Sequence, residues 1–177
     1  MGKKRVIFIL FVLLIAVIIF YYSSSHSEKW MNSTNLSDEE IGGTVLHENI
    51  NSSSFVKQYG SPLSKDNNSF YDYYHWKNGL LTASLLSGKE KGSIMRLIIT
   101  DTDDNSGDSP LHTAKGIALG DKKEKIISLY GNNYYKSNEQ GADIIGYIDH
   151  KHKITLEFWC VKGGGVAEIR LDDASVE

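Results

Sequence analysis

An uninterrupted apolar segment near the N-terminus constrains the chain most. Residues 6–22 have the sequence VIFILFVLLIAVIIFYY, without a charge, a glycine or a proline. As a helix they would extend roughly 25 Å, close to the thickness of a hydrocarbon core, and the two tyrosines would lie at the membrane interface. The sequence therefore predicts a transmembrane helix over this range, whose membrane-spanning residues include Val6, Leu10, Leu14, Ile18 and Tyr22.

The charges beside the apolar segment predict its orientation. Lys3, Lys4 and Arg5 make residues 1–5 a basic flank, and such flanks favour the cytoplasmic side. We expect a single-pass signal-anchor with a cytoplasmic N-terminus in the cell membrane, an extracytoplasmic tether over residues 23–40, and an extracytoplasmic domain beyond it. A cleaved signal peptide is the alternative, but its apolar stretch is usually only about 7–15 residues long.

The composition predicts one folded domain after the tether. The chain has 177 residues, of which 41% are hydrophobic and 11% aromatic, enough for an apolar core. The formal net charge is −3, and without the three basic flank residues the rest carries −6. Because nucleic-acid binding needs clustered Lys and Arg, nucleic acid is not expected as a partner.

Two segments of similar pattern predict a tandem repeat. Residues 43–60 and 116–131 each begin with a short apolar stretch, continue as an amphipathic helix and end in Tyr-Gly, 71 positions apart. Asp121 is the expected N-cap of the second helix. Three segments of strand character follow each Tyr-Gly: residues 69–77, 79–86 and 93–100 in the first unit, and 142–150, 153–161 and 166–172 in the second.

These units predict an α+β fold. After the transmembrane helix, each repeat would consist of one helix and a three-stranded antiparallel meander, and the two would form one sheet with the helices on one face. The repeats would span residues 41–100 and 113–177, with residues 101–112 as the linker. Within residues 153–161 apolar and polar side chains alternate, which predicts one core face and one solvated face.

The same pattern resembles a group of envelope domains. A short apolar strand, Leu-Gly-Asp before a helix, a Tyr-Gly stop and a three-stranded meander, all in tandem, resemble the β-lactamase-inhibitory-protein-like and related SmpA/OmlA-type domains. The matching residues are Ile117, Leu119, Gly120, Asp121, Ile126, Tyr130 and Gly131, with Val45, Leu46, Phe55, Tyr59 and Gly60 in the first unit. The resemblance implies this fold and a tendency to bind proteins. The inhibitors of that group rely on disulfides, which a chain with one cysteine cannot form.

Two patterns are typical of metal sites, but both are incomplete. The oxygen-bearing residues Asp101, Asp103, Asp104, Asn105 and Asp108 alternate as in a calcium loop. Ser106 replaces the turn glycine of an EF-hand, however, and His112 replaces its bidentate glutamate. His150 and His152 would project from the same face of a predicted strand, without an evident third ligand. No metal and no cofactor is predicted.

The sequence contains no pattern that predicts catalysis. A Gly-x-Ser-x-Gly elbow is absent, and Cys160 alternates into the apolar side of its strand. Residues 88–93, GKEKGS, lack the spacing of a phosphate-binding loop. The domain is therefore expected to be non-enzymatic, with a small enzyme assembled from distant residues as an alternative.

Aromatic residues on one predicted strand exceed what a core needs. Residues 69–77 place Phe70, Tyr74 and Trp76 on one face, and other rings on the opposite face; Trp159 lies on the polar side of its own strand. Aromatic residues beside arginine are typical of protein interfaces. We therefore predict a partner-binding surface on a protein- or peptide-binding module, formed by Tyr71, Tyr73, His75, Glu157, Trp159 and Arg170. The alternative is an envelope scaffold or assembly accessory that acts as a passive spacer.

Overall fold

An eight-stranded antiparallel sheet is the frame of the protein. The structure is a computed structural model that describes residues 31–100, 111–162 and 164–176. The strands are β1 (Ser64–Asn67), β2 (Tyr71–His75), β3 (Leu80–Leu85), β4 (Ile94–Thr100), β5 (Tyr135–Glu139), β6 (Ala142–Asp149), β7 (Ile154–Val161) and β8 (Val166–Asp173). The helices of the described residues are α1 (Ser53–Tyr59) and α2 (Lys123–Tyr130), with a 3-10 turn at Lys77–Gly79.

The sheet consists of two four-stranded meanders that meet at their last strands. The strand order is β1-β2-β3-β4-β8-β7-β6-β5. Strands β4 and β8 pair antiparallel, with Arg96 opposite Asp172 and Thr100 opposite Glu168. This pairing joins the first and second halves of the chain into one sheet.

Local signals mark the beginning of α1 and the end of both helices. The Ser52 side chain caps α1 by accepting a hydrogen bond from the Phe55 backbone N–H at 3.1 Å. Gly60 and Gly131 follow the helices with φ of 73° and 89°, a backbone region that favours glycine. The N-cap expected at Asp121 is wrong: the N-cap of α2 is Lys122, and the Asp121 carboxylate instead accepts from the Ala118 backbone N–H.

Both helices pack against the same face of the sheet. In α1, Phe55 contacts Trp76 edge to face, with ring centroids 4.9 Å apart. In α2, Tyr130 packs against Phe158 of β7, with centroids 5.4 Å apart. The alternation predicted for β7 is visible in the core, because Leu156, Phe158 and Cys160 all belong to the buried cluster. Burial of such side chains is the main source of the domain's stability.

The predicted repeat unit of one helix and three strands is wrong. Each half of the chain contributes four strands, because β1 and β5 precede the predicted three. Both additional strands lie at the edges of the sheet, and β1 is exposed at every residue. Their sequences, SKDN and YKSNE, contain a single apolar residue between them, so hydrophobic periodicity could not mark them.

The predicted transmembrane segment, residues 6–22 with Val6, Leu10, Leu14, Ile18 and Tyr22, lies outside the described residues. Within the described ranges no helix is long and apolar enough to cross a membrane. The helices there have only 7 and 8 residues. Within the described residues, the two three-stranded repeats of the predicted α+β fold class are corrected to one eight-stranded antiparallel sheet with two short helices on one face.

Residues 32–40 of the expected tether pack onto the domain. Leu36 is 2% exposed and belongs to the hydrophobic core, and Glu39 is 6% exposed. The Thr34 backbone N–H donates to the Ile148 carbonyl at 2.7 Å, and the Leu36 N–H donates to the Asp149 carboxylate at 2.8 Å. These contacts hold the segment beside the end of β6.

Candidate functional site

All six residues of the predicted partner-binding surface lie on the face of the sheet opposite the two helices. This surface is here called the Arg170 face. Its central row of cross-strand neighbours is His75, Leu81, Ile98, Arg170, Glu157, Gly146 and Tyr135. Side chains that are directly opposite on paired strands share a face, so the row crosses seven of the eight strands on one side.

The six residues form two separate groups on this face. Tyr71, Tyr73 and His75 lie on β2, whereas the other three lie on β7 and β8. Strands β3 and β4 separate β2 from β8, which places the groups roughly 14 Å apart at about 4.8 Å per strand. The structure therefore brings Glu157, Trp159 and Arg170 together, and leaves the β2 group at a distance from them.

The Glu157 carboxylate organises the β7–β8 group. Its Oε1 accepts a hydrogen bond from the Tyr135 hydroxyl at 2.5 Å, and its Oε2 accepts one from Trp159 Nε1 at 2.9 Å. Tyr135 and Trp159 are 4% and 6% exposed. Because buried tyrosine and tryptophan need partners for their polar atoms, one carboxylate satisfies both rings and fixes their positions.

Arg170 covers the ring of Trp159. Its guanidinium carbon lies 3.8 Å from the ring centroid, a cation–π geometry. Its Nε pairs with the Glu168 carboxylate on the same strand. Among the described residues, the structure gives the two Nη groups no hydrogen-bond partner, and the side chain is 25% exposed. Arg170 is therefore a half-buried side chain that covers the buried tryptophan.

A second ion pair lies on the same face, across the junction of the two halves. Arg96 of β4 donates from Nε and one Nη to both carboxylate oxygens of Asp172 on β8, at 2.7 and 2.8 Å. Burial raises the pKa of Asp172 above its ordinary value, although the paired guanidinium opposes this rise. The fork geometry is specific as well as strong, so it fixes the register of β4 against β8.

The β2 group is half-buried apart from its histidine. The rings of Tyr71 and Tyr73 meet at 6.5 Å with an interplanar angle of 71°. The Tyr73 hydroxyl accepts from the Asn68 side-chain amide at 3.0 Å, and His75 is exposed. Phe70, in the turn before β2, is 71% exposed, which makes it the most exposed of these rings.

Four residues of this face escaped sequence reasoning. Tyr135 lies on β5, a strand that the sequence did not predict. Arg96 and Asp172 lie on polar positions of strands whose pairing is known only from the strand order. Gly146 did leave a signal, because a glycine inside a strand often marks the close approach of another group.

The metal and nucleophile patterns have simpler explanations in the structure. His150 and His152 lie in the turn between β6 and β7, not on a strand, and His152 Nδ1 contacts the Asp149 carboxylate at 2.8 Å. Residues 101–110 lie outside the described residues; within the described ranges no group of three or more His, Cys, Asp or Glu is arranged to hold a metal. Cys160 is buried, and burial raises the pKa of its thiol.

The comparisons with known proteins do not assign a family or a function to the chain. No protein-family model matches the chain, and no curated protein matches it. Among solved structures, the crystal structure of a DUF4309 family protein, YjgB from Bacillus subtilis subsp. subtilis str. 168, is similar with a TM-score of 0.41 and 16% identity over 68% of this chain and 76% of that one. A likeness this distant supports no conclusion about function, so the function must be inferred from the residues themselves.

Proposed function

We propose that the chain is a non-enzymatic protein- or peptide-binding module whose Arg170 face contacts the partner. The observation that supports this most is the Arg170 side chain. It is held by Trp159 beneath it and Glu168 beside it, yet its Nη groups point to no partner among the described residues. A side chain that is already fixed loses little conformational freedom when a partner binds.

The chemistry of the face indicates the class of partner. Two arginines, Arg96 and Arg170, lie among three carboxylates, those of Glu157, Glu168 and Asp172. A strongly acidic partner would be repelled by these carboxylates, and a strongly basic one would compete with internal ion pairs. The face therefore suits a polypeptide of low net charge that stacks an aromatic or apolar side chain on Arg170 and offers backbone carbonyls to its Nη groups.

The apolar part of the face extends this contact. Leu81 and Ile98 are half-buried and lie between Arg170 and the β2 group, in the same cross-strand row. The half-buried Tyr73 lies one row away. A partner that spans from Arg170 to Tyr73 would bury apolar area at the centre and meet polar groups at the rim, as protein interfaces do.

Site-specific photocrosslinking tests the proposal. A photoreactive amino acid is placed at His75 or Thr100 on the Arg170 face, and at Val56 or Leu129 on the exposed sides of the helices. We expect the face positions to crosslink one defined polypeptide in the cells of origin, and the helix positions not to. The crosslinked protein is then purified and tested for direct binding.

Other outcomes would overturn it. Equal crosslinking from both sides, or a captured protein that does not bind when purified, contradicts a binding site on this face. Absence of a partner at the face positions favours the passive-spacer alternative. A partner found only at the helix positions would move the binding surface to the other side of the sheet.

A further inference from the structure

A row of three side chains lies at one end of β6, β7 and β8, on the helix-covered face and therefore on the side opposite the Arg170 face. Asp149 of β6 is opposite Ile154 of β7, which is opposite Asp173 of β8. The two carboxylates are thus two strand spacings apart, about 10 Å, with an isoleucine between them. Ile154, at the middle of the row, lines a small pocket.

Each carboxylate of the row binds one histidine. His152 Nδ1 lies 2.8 Å from Asp149 Oδ2, and His47 Nε2 lies 3.3 Å from Asp173 Oδ2. The histidines therefore lie at opposite ends of the row, and Ile154 lies between them. They come from distant parts of the chain, the segment before α1 and the β6–β7 turn.

The Asp149 carboxylate fixes which ring nitrogen of a neutral His152 carries the proton. The pKa of Asp149 is about 2, because the hydrogen bonds from His152 and two backbone segments outweigh the effect of burial. An ionised carboxylate only accepts hydrogen bonds, so the facing Nδ1 carries the proton. Nε2 of His152 is then an acceptor. At His47, the charge contact of Nε2 with Asp173 favours a proton on Nε2, which leaves Nδ1 as the acceptor.

The segment from residue 37 to residue 47 closes the pocket over Ile154. The pocket has a volume of about 270 Å³ and is lined by Ser37, Glu39, Val45, Leu46, His47, His152 and Ile154. Val45 is 45% exposed although it is apolar. His47 has a φ of 66°, which is rare for a residue other than glycine, and its N–H donates to the Ile94 carbonyl at 2.7 Å. Such backbone strain often occurs at binding sites.

We propose that this pocket binds a small molecule with an apolar body and a hydrogen-bond donor, hydroxyl or amino, near each end. The apolar body would lie over Ile154 between Val45 and Leu46. The donors would reach the acceptor nitrogens of His47 and His152. The volume is just below the range of drug-sized ligand pockets, so the ligand would be the size of a single substituted ring.

The charges around the pocket select against other ligands. Asp149, Asp173 and Glu39 are carboxylate groups on or beside the walls, so an anionic ligand would be repelled. A metal ion does not fit, because the two imidazoles lie at opposite ends of a row about 10 Å long. A neutral or cationic donor molecule remains.

Binding of two matched probes by the full chain tests this inference. Tyramine has an aromatic ring with a hydroxyl at one end and an ammonium at the other; 3-(4-hydroxyphenyl)propionate has a carboxylate in place of the ammonium. We expect tyramine to shift the backbone amide and imidazole NMR signals of His47, His152 and Ile154 in a saturable manner, and the propionate to bind at least tenfold more weakly. Equal binding of the two probes, or no saturable shift with tyramine, would overturn the proposal.

Matched variants locate the site. His47→Phe and His152→Phe remove one acceptor each and should weaken tyramine binding at least tenfold, whereas His150→Phe in the same turn should leave it unchanged. If a histidine variant does not fold, Val45→Lys is the substitute. It places a positive charge at an exposed position of the pocket wall and should weaken tyramine binding at least tenfold, because it repels the ammonium group. Unchanged binding in the folded variants contradicts the inference, and it leaves the proposed function of the opposite face unaffected.

Discussion

The ring of Tyr135 lies directly over Gly146, its cross-strand neighbour on the Arg170 face. A Cβ atom on Gly146 would lie 2.0 Å from Cζ of Tyr135. The absence of a side chain therefore lets the ring lie flat across β6 and reach Glu157 on β7. The requirement for glycine at this position is steric and not conformational, because the φ of Gly146 is not in the left-handed region.

The variant Gly146→Ala should displace the Tyr135 ring and break its hydrogen bond to Glu157. We expect a loss of about 1–3 kcal/mol in unfolding free energy, from the crowded ring and the unsatisfied polar groups. Denaturant unfolding gives the value. In a Tyr135→Ser background the same change should be neutral or stabilising, because no ring is present; an equal loss in both backgrounds would contradict this explanation.

Removal of the Glu157 carboxylate should break its hydrogen bonds to the buried side chains of Tyr135 and Trp159. We expect Glu157→Leu to destabilise the domain by about 2–4 kcal/mol, since the Tyr135 hydroxyl and the Trp159 indole N–H both lose their hydrogen bond to Glu157. Glu157→Gln, which keeps one oxygen acceptor, is the control and should cost less. Chemical unfolding of both variants checks this, and equal losses would show that the carboxylate is not what satisfies the two rings.

Low pH should destabilise the domain because the Asp149 carboxylate becomes protonated. Its folded pKa of about 2 is below the ordinary value of 3.8, so its contribution is present above about pH 4 and is lost as the pH falls toward 2. The shift corresponds to about 2 kcal/mol. Asp149→Asn should therefore lower the unfolding free energy by about 2 kcal/mol at pH 7, and the difference from the wild type should shrink between pH 4 and pH 2. A difference that does not change with pH would contradict this.

Glu39 should give the unfolding free energy a pH dependence of the opposite sign to that of Asp149. Burial raises its pKa above 4.5, although the Tyr130 hydroxyl and the Ala114 N–H donate to it. A raised pKa means that its contribution to stability is present below pH 4.5 and is lost as the pH rises. Glu39→Gln keeps an oxygen acceptor without the charge, so its stability relative to the wild type should increase from pH 4 to pH 7. Thermal unfolding at both pH values measures this; a relative decrease would contradict the direction.

The six strands rich in apolar or aromatic residues were predicted from the sequence, and the two polar strands were missed. Leu156 and Phe158 alternate with Glu157 and Trp159, and that pattern placed β7 correctly with its buried side. Strands β1 and β5 are polar, and they exist because a neighbouring strand offers hydrogen bonds, which no local pattern records. The fold class was therefore wrong in the number of strands per repeat, and the resemblance to inhibitory envelope domains stays a prediction.

Only part of the predicted partner-binding surface is contiguous in the structure, because local strand pairing can be inferred from the sequence and long-range pairing cannot. Glu157, Trp159 and Arg170 are brought together by one hairpin, whose register a sequence can indicate. Their distance from Tyr73 depends on which strands join the two halves, and the β4–β8 pairing is not local. Gly146, a glycine inside its strand, was a signal of close approach, but its partner Tyr135 became visible only once β5 was known to pair with β6.

The central claim is that the Arg170 face binds a polypeptide partner. Once crosslinking has identified that partner, calorimetric titration of the purified, unmodified partner into the chain tests the claim most directly. We compare the wild type with Arg170→Gln, which removes the stacked guanidinium, and with Val56→Ala on the exposed side of α1, all three shown to be folded. The account predicts at least tenfold weaker binding for Arg170→Gln, as for an interface hot spot, and an unchanged Kd for Val56→Ala. An unchanged Kd for Arg170→Gln, or a loss for Val56→Ala, would contradict it.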